Sequence, residues 1–286
     1  MKVGFISLGC AKNQVNCEQM IWQTYEAGYE VALGAAGCDV AVVNTCGFLQ
    51  EAREEALAEI QKLVEQKQAG QLQKILVTGC MAQWWRDQLA QRCPQADGFV
   101  GVSGYENLPQ VIDQALRGEH PALFGDIDAP IPETDRVVCT SDYWAWLRIA
   151  EGCDNRCAYC IIPMIRGRFR SRPEEAILAE AENLAQAGMK ELIVVAQDTS
   201  RYGTDLPGHR RLLAELLRQL CRIDGLHWVR VHYLYPDEID EELMKVLAEE
   251  PKIVKYLDIP IQHIHDGILR RMNRRGDGAD VEALFR

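Results

Sequence analysis

Residues 144–160 read WAWLRIAEGCDNRCAYC. Trp144–Ala150 is an apolar, strand-like run, and Cys153, Cys157 and Cys160 follow it as a CxxxCxxC triplet in the loop at its C-terminal end. Three thiolates within so short a loop can close on one corner of a metal centre. Structural zinc wants four ligands, and no fourth Cys or His lies nearby. A four-iron cluster held by three thiolates would leave one iron open to bind a small molecule through an amine and a carboxylate. Zinc completed by a distant ligand, or three unrelated cysteines, are the competing readings.

Working outward, the triplet sits at the head of a βα series. A helix is expected over Pro173–Ala187 with Ser171 as its cap, then a strand at Glu191–Ala196, a helix at Leu212–Arg222 and a strand at Trp228–Tyr235. A helix at Ile239–Glu249 and a strand at Tyr256–Ile259 follow. This pattern suits a (β/α) barrel, but a closed eight-stranded one needs about 250 residues. The series from 139 to 286 is therefore expected to be an incomplete barrel. Upstream, strands at Val3–Gly9, Val40–Asn44, Lys74–Gly79 and Phe99–Val102 alternate with helices at Gln14–Ala27, Glu51–Gln68, Gln83–Arg92 and Leu108–Arg117. Such alternation predicts a doubly wound parallel sheet. Between them, 119–138 is proline-rich and aperiodic, as a linker would be. The expected fold is thus α/β throughout, with a parallel-sheet domain at 1–118, a linker at 119–138 and a partial barrel at 139–286.

The first half carries its own set of thiols. Cys10 in SLGC, Cys46 in VNTC and Cys80 in VTGC each follow an apolar strand, and the C-terminal ends of parallel strands open on one edge. Three cysteines distant in sequence are thereby expected to converge; independent core cysteines are the bland alternative. The other five, Cys17, Cys38, Cys93, Cys139 and Cys221, match no ligand block. The chain of 286 residues has 48% hydrophobic residues, 26% charged residues and a net charge of −11, which is globular composition without a global electrostatic grip on nucleic acid. It shows no signal-peptide pattern and no apolar run long enough for a membrane span, so a cytoplasmic location is expected, where its 11 cysteines would stay reduced.

The CxxxCxxC spacing, with Tyr159 before the third cysteine, resembles the radical S-adenosylmethionine (SAM) superfamily, in which that aromatic residue lies near the adenine. SLGCAKNQVN, VVNTCGF and VTGCMAQ resemble the three blocks of the methylthiotransferase N-terminal domain; with AEGCDNRCAYCIIPMIRGRFRSR the resemblance covers nearly the whole chain. It implies two 4Fe–4S clusters, one on Cys10, Cys46 and Cys80 and one on Cys153, Cys157 and Cys160, with SAM as cofactor. The family often has Asp-Ser-Glu where this chain has Asn16, Cys17 and Glu18, which leaves Cys17 unassigned. VVAQDTSRYGTDL, VRVHYLYPDEI and YLDIPIQH look more like the branch that modifies an aspartate of small-subunit ribosomal protein twelve; tRNA-adenosine members more often have Gln-Asn at Gln197 and Asp198. The implied partners are that ribosomal protein, alone or in the ribosome, and a low-potential donor such as flavodoxin or ferredoxin. The alternatives are tRNA modification and a non-catalytic iron–sulfur or zinc protein. The family usually has a further RNA-binding-like domain after the barrel, which is not expected among these 286 residues.

Arg166, Arg168, Arg170 and Arg172 alternate, and an extended backbone would put all four on one side, facing the SAM carboxylate, a polar substrate or rRNA; a solvated surface is the alternative. A second cluster stands at Arg270, Arg271, Arg274 and Arg275. Gln262 and His263 fall near a predicted barrel strand end, where catalytic residues concentrate. His232 and His265 are expected to be hydrogen-bonded structural residues. No P-loop, GxGxxG or Ser-His-Asp pattern is present.

Overall fold

The structure, a computed structural model, describes residues 1–286 and divides into two compact units. The first comprises Met1–Cys139 together with Met164–Arg166; the second comprises Thr140–Pro163 and Gly167–Arg286.

In the first unit the elements run β1 (Lys2–Ser7), α1 (Ala11–Glu26), β2 (Glu30–Leu33), β3 (Val40–Thr45), α2 (Gln50–Gln68), β4 (Lys74–Gly79), α3 (Cys80–Trp85), α4 (Asp87–Arg92), β5 (Gly98–Val100), α5 (Leu108–Leu116) and β6 (Ala122–Leu123). The six strands form one parallel sheet in the order β2-β1-β3-β4-β5-β6. β3 shows why it is doubly wound. Its residues VAVVNT are all buried, and successive side chains go to opposite faces. Val40 and Val42 pack with Met20 and Ile21 of α1 and Val111 and Ile112 of α5, while Ala41 and Val43 pack with Ile60, Leu63 and Val64 of α2.

Three features depart from the expected pattern. β2 and β6 were not legible because both are short, partly exposed edge strands that pair through the backbone and need no apolar signature. β6 lies inside 119–138, and that segment is tied down further on: Arg136 pairs with Glu18, and the Val137 and Cys139 amides bond Glu18 O at 3.2 Å and Glu18 Oε1 at 2.9 Å. The single helix expected at Gln83–Arg92 is two, broken at Arg86, whose φ is 41°. The first of them starts at Cys80, directly against the strand end.

The second unit runs β7 (Trp144–Arg148), β8 (Ala150–Glu151), α6 (Ile162–Arg166, ending in the first unit), β9 (Arg170–Ser171), α7 (Glu174–Gln186), β10 (Glu191–Val195), α8 (Leu213–Arg222), β11 (Trp228–Val231), α9 (Glu241–Glu249), β12 (Ile253–Leu257), α10 (Asp266–Arg271) and α11 (Gly278–Leu284). Four parallel strands stand in the order β12-β11-β10-β7, so the sheet is open at both edges, and β8 pairs antiparallel with β9. Ser171 is not the cap of α7. Pro173 holds that place, and the Ser171 hydroxyl instead donates to Asp205 Oδ1 at 2.6 Å and accepts from the Gly203 amide at 2.9 Å. No helix is long and apolar enough to cross a membrane.

Gly79 joins β4 to α3 with φ 93° and ψ −159°, a region open essentially to glycine alone. A Cβ there would stand 2.4 Å from Asn44 Oδ1 and 2.6 Å from Thr45 O. Gly70 also has a positive φ, of 74°, but open space around it. Gly79→Ala is therefore expected to cost roughly 3 kcal/mol and Gly70→Ala only about 1 kcal/mol, measured by urea denaturation; equal costs would mean that packing at the strand end does not constrain Gly79.

Candidate metal-cluster sites

The first triplet is assembled by strand order. β1, β3 and β4 are direct neighbours, and adjacent parallel strands lie about 4.8 Å apart, so Cys10, Cys46 and Cys80 leave adjacent strand ends. Thr45 pairs with Gly79, which sets Cys46 beside Cys80. Small residues let the three turns close up: a Cβ on Gly9 would come within 2.9 Å of Cys46 Cβ, and one on Gly47 within 2.9 Å of the Cys80 carbonyl. Asn13 locks the group. Its Nδ2 donates to Leu8 O at 3.1 Å and Thr45 O at 2.9 Å, while Asn44 Nδ2 donates to Asn13 O at 2.6 Å.

Electrostatics favour anionic sulfur at this edge. Cys10 is the N-cap of α1 and Cys80 the first residue of α3, where helix N-termini carry partial positive charge. Crowding by protein opposes ionisation of Cys10, but the Lys12 and Arg166 charges outweigh it and hold the thiol below its ordinary value. Burial pushes the Cys80 thiol up, against the pull of Arg166. Arg166 belongs to the first unit and is itself buried, with Nε and Nη2 donating to Cys80 Sγ at 3.3 and 3.1 Å.

The second triplet lies past β7 and β8. Gly152 makes the turn with φ 79°, in a place where a Cβ would collide with Arg168 O at 1.9 Å. The Cys153 amide bonds Gly167 O at 3.1 Å and the Cys160 amide bonds Cys157 O at 3.0 Å. Residues after α10 brace the loop: Ala158 N donates to Met272 O at 3.0 Å and Asn273 Nδ2 to Arg156 O at 2.9 Å. Around the sulfurs, Asn155 Nδ2 stands 3.5 Å from Cys153 Sγ and 2.7 Å from Asp198 Oδ2. Tyr235 Oη is 3.7 Å and Arg274 Nη1 3.6 Å from Cys157 Sγ, and the Arg274 guanidinium lies 4.3 Å over the Tyr235 ring. Burial pushes the Cys153 thiol up to about 11 and raises that of Cys160, so both need a bound cation to ionise at neutral pH. Tyr159 is 44% exposed. In neither triplet are three donors drawn round a single point as a mononuclear site requires. Thiol-only donor sets in glycine-lined turns suit an iron–sulfur cluster.

Residues 2–101 match the uncharacterized protein family UPF0004, and residues 147–286 match the radical SAM superfamily. The chain is 46% identical over 286 residues to a ribosomal protein uS12 methylthiotransferase RimO of Lachnoclostridium phytofermentans, covering 100% of this chain and 65% of the relative. Along its whole length the chain is thus similar to methylthiotransferases of that name. The protein of the same name from Symbiobacterium thermophilum is 45% identical over 275 residues, with 96% of this chain and 56% of the relative covered. The chain thus spans less than two thirds of the length of these relatives. Among solved structures, the radical SAM methyltransferase TsrM of Kitasatospora setae matches with a TM-score of 0.69 at 14% identity, over 99% of this chain and 64% of that one. The cobalamin-dependent SAM radical enzyme OxsB matches at 0.65 and 13%, over 100% and 47%. These two likenesses concern the fold alone.

Several side chains singled out by sequence have other roles in the structure. The four alternating arginines do not share a face. Gly167, with φ 75°, breaks the run after α6; Arg166 turns inward to Cys80, Arg168 is exposed, and Arg172 is buried, donating to Arg148 O and Glu180 Oε2 at 2.6 Å each. His265 caps α10 by accepting from Gly267 N at 3.1 Å, and its own amide bonds His263 Nδ1 at 2.9 Å. Gln262 and His263 are exposed, Gln262 in the left-handed region at φ 63°. His232 packs among Trp146, Tyr233 and Tyr256, with ring centroids 5.8–6.0 Å away. Asn13, Asn155 and Tyr235 went unnoticed in the sequence. Asn13 and Asn155 lie within the cysteine blocks themselves, which was the available signal.

Gln197 and Asp198, at the end of β10, both reach the loop after β7: Gln197 Nε2 donates to Glu151 Oε1, and Asp198 holds Asn155. Burial pushes the Asp198 carboxyl from 3.8 up to about 6, although donors from Ser200 and Asn155 pull the other way. Between those pH values the folded chain keeps a proton that the unfolded chain releases, so stability falls as pH rises through the window and levels off above it. The full effect is roughly 3 kcal/mol. Urea midpoints of the metal-free protein between pH 4 and 7 should show this slope, and Asp198→Asn should flatten it; an unchanged slope in the variant would assign the effect elsewhere.

Proposed function

We propose that this chain is the catalytic part of a methylthiotransferase that places a methylthio group on the β-carbon of an aspartate in small-subunit ribosomal protein uS12. The observation that carries this reading is the pair of cysteine triplets, each at the C-terminal edge of its own parallel sheet. The 46% identity to a protein of that name supports the substrate. An unactivated C–H bond gives an acid or base no purchase, so the hard chemistry must come from cofactors. When bound, two 4Fe–4S clusters and SAM supply it: one-electron cleavage of SAM to a 5′-deoxyadenosyl radical, hydrogen removal from the target carbon, and delivery of methylated sulfur.

The chain's own part is holding and orienting. Cys153, Cys157 and Cys160 would hold the cluster that supplies SAM cleavage. Asp198 fixes the Asn155 amide, which in turn steers Cys153. Tyr235 and Arg274 cover Cys157 and place a positive charge beside it. The exposed ring of Tyr159 is available to the SAM adenine. Cys10, Cys46 and Cys80 would hold the second cluster, which would supply the sulfur. A flavodoxin or ferredoxin supplies electrons in the reducing cytoplasm, where the thiols stay free for iron.

Mass spectrometry of uS12 and of tRNA from cells with and without the gene tests the substrate. Loss of the methylthio mass from uS12 alone is expected; its loss from tRNA alone would replace this reading. Anaerobic reconstitution should give about eight irons per chain. Cys153→Ala should abolish 5′-deoxyadenosine formation, whereas Cys46→Ala should retain it and lose methylthiolation. A Cys46→Ala protein that still methylthiolates uS12, or wild-type protein holding about one zinc and cleaving no SAM, would overturn the proposal.

A further inference from the structure

Arg166 has a role that its place in the sequence conceals. It follows the second cysteine triplet, yet Met164–Arg166 packs as part of the first unit. Its side chain is 2% exposed. Nε and Nη2 form one edge of the guanidinium fork, and both point at a single atom, Cys80 Sγ, at 3.3 and 3.1 Å. As a thiol, Cys80 also donates to Asn13 Oδ1 at 3.3 Å. Two N–H donors converging on one sulfur nonetheless suit a deprotonated or metal-bound sulfur far better than a thiol, whose sulfur is a weak acceptor. A guanidinium held out of water also needs anionic surroundings.

The aim of the fork is fixed. Nη2 also donates to Asn13 Oδ1, and the Asn13 amide can turn no other way, because its Nδ2 is committed to Leu8 O and Thr45 O. Those carbonyls lie at the ends of β1 and β3, the strands that carry Cys10 and Cys46. Gly167, with φ 75°, ends α6 directly after Arg166 and lets the chain leave. The arginine is thus a built component of the strand-end site.

We infer that Arg166 is a positioning residue for the cluster on Cys10, Cys46 and Cys80, orienting Cys80 and raising the reduction potential of that cluster through two charged hydrogen bonds to a ligand sulfur. Donors and positive charge beside a ligand sulfur stabilise the more negative, reduced state. Arginine is needed because lysine offers the charge without the fork. The inference rests on the proposed second cluster.

The test uses the full chain with Cys153, Cys157 and Cys160 all changed to Ala, so that only the first-unit cluster remains, reconstituted anaerobically and titrated by redox-controlled electron paramagnetic resonance. Arg166→Gln should shift the midpoint to more negative potential, and Arg166→Lys should shift it less in the same direction. An unchanged midpoint in Arg166→Gln at full iron content would overturn the inference. Should Arg166→Gln not fold, Arg166→Lys decides: a midpoint equal to that of the parent overturns it. If the parent itself takes up no iron, the two-cluster reading fails, and this inference with it; a parent that loads iron while the variants keep its midpoint fails this inference alone.

Discussion

Three thiolates brought to one place repel one another, and the repulsion grows as water is excluded. The first unit meets that constraint at the C-terminal edge of its sheet. There the Lys12 and Asn13 amides at the start of α1 bond Cys10, the Arg166 guanidinium faces Cys80, and the Lys12 charge stands near Cys10. The glycines between strand and helix let the turns of neighbouring strands approach one another closely. The buried hydrogen bonds of Asn13, whose amide has both ends committed, and the donation from Asn44 Nδ2 to the Asn13 carbonyl then make that edge rigid.

The second unit answers the constraint differently. Its three cysteines come from one loop, so convergence costs little chain entropy, and burial raises the Cys153 and Cys160 thiols as it does Cys80. Compensation comes from the ends of later elements: Asp198 and Asn155 from one side, Tyr235 and Arg274 from another. The Asp198 carboxyl is a costly choice, since burial favours its neutral form. It stands where it orients the Asn155 amide toward the Cys153 sulfur, and that placement is its physical role.

The regular parts of this architecture were legible because they rest on periodicity. β3, buried on both faces, reads as an unbroken apolar run, and the long helices α2 and α7 match their expected spans closely. Edge strands were not legible, because Glu30–Leu33 and Ala122–Leu123 pair through backbone groups and bury little side chain. The arginine run misled for a related reason. Alternation places side chains on one face only if the backbone stays extended, and Gly167 breaks it.

By itself, the sequence determined the chemistry available: two sets of three thiols, each behind an apolar strand, in a chain without competing catalytic motifs. Spacing alone suffices for Cys153, Cys157 and Cys160, since a short loop cannot separate them. Tertiary structure decided which strands are neighbours, and so that Cys10, Cys46 and Cys80 leave adjacent strand ends. It also decided which charged groups face the sulfurs. Arg166, Asn155 and Tyr235 are ordinary polar residues until the fold carries them to a buried sulfur, and only there does their charge or hydrogen bond act in a medium that does not screen it.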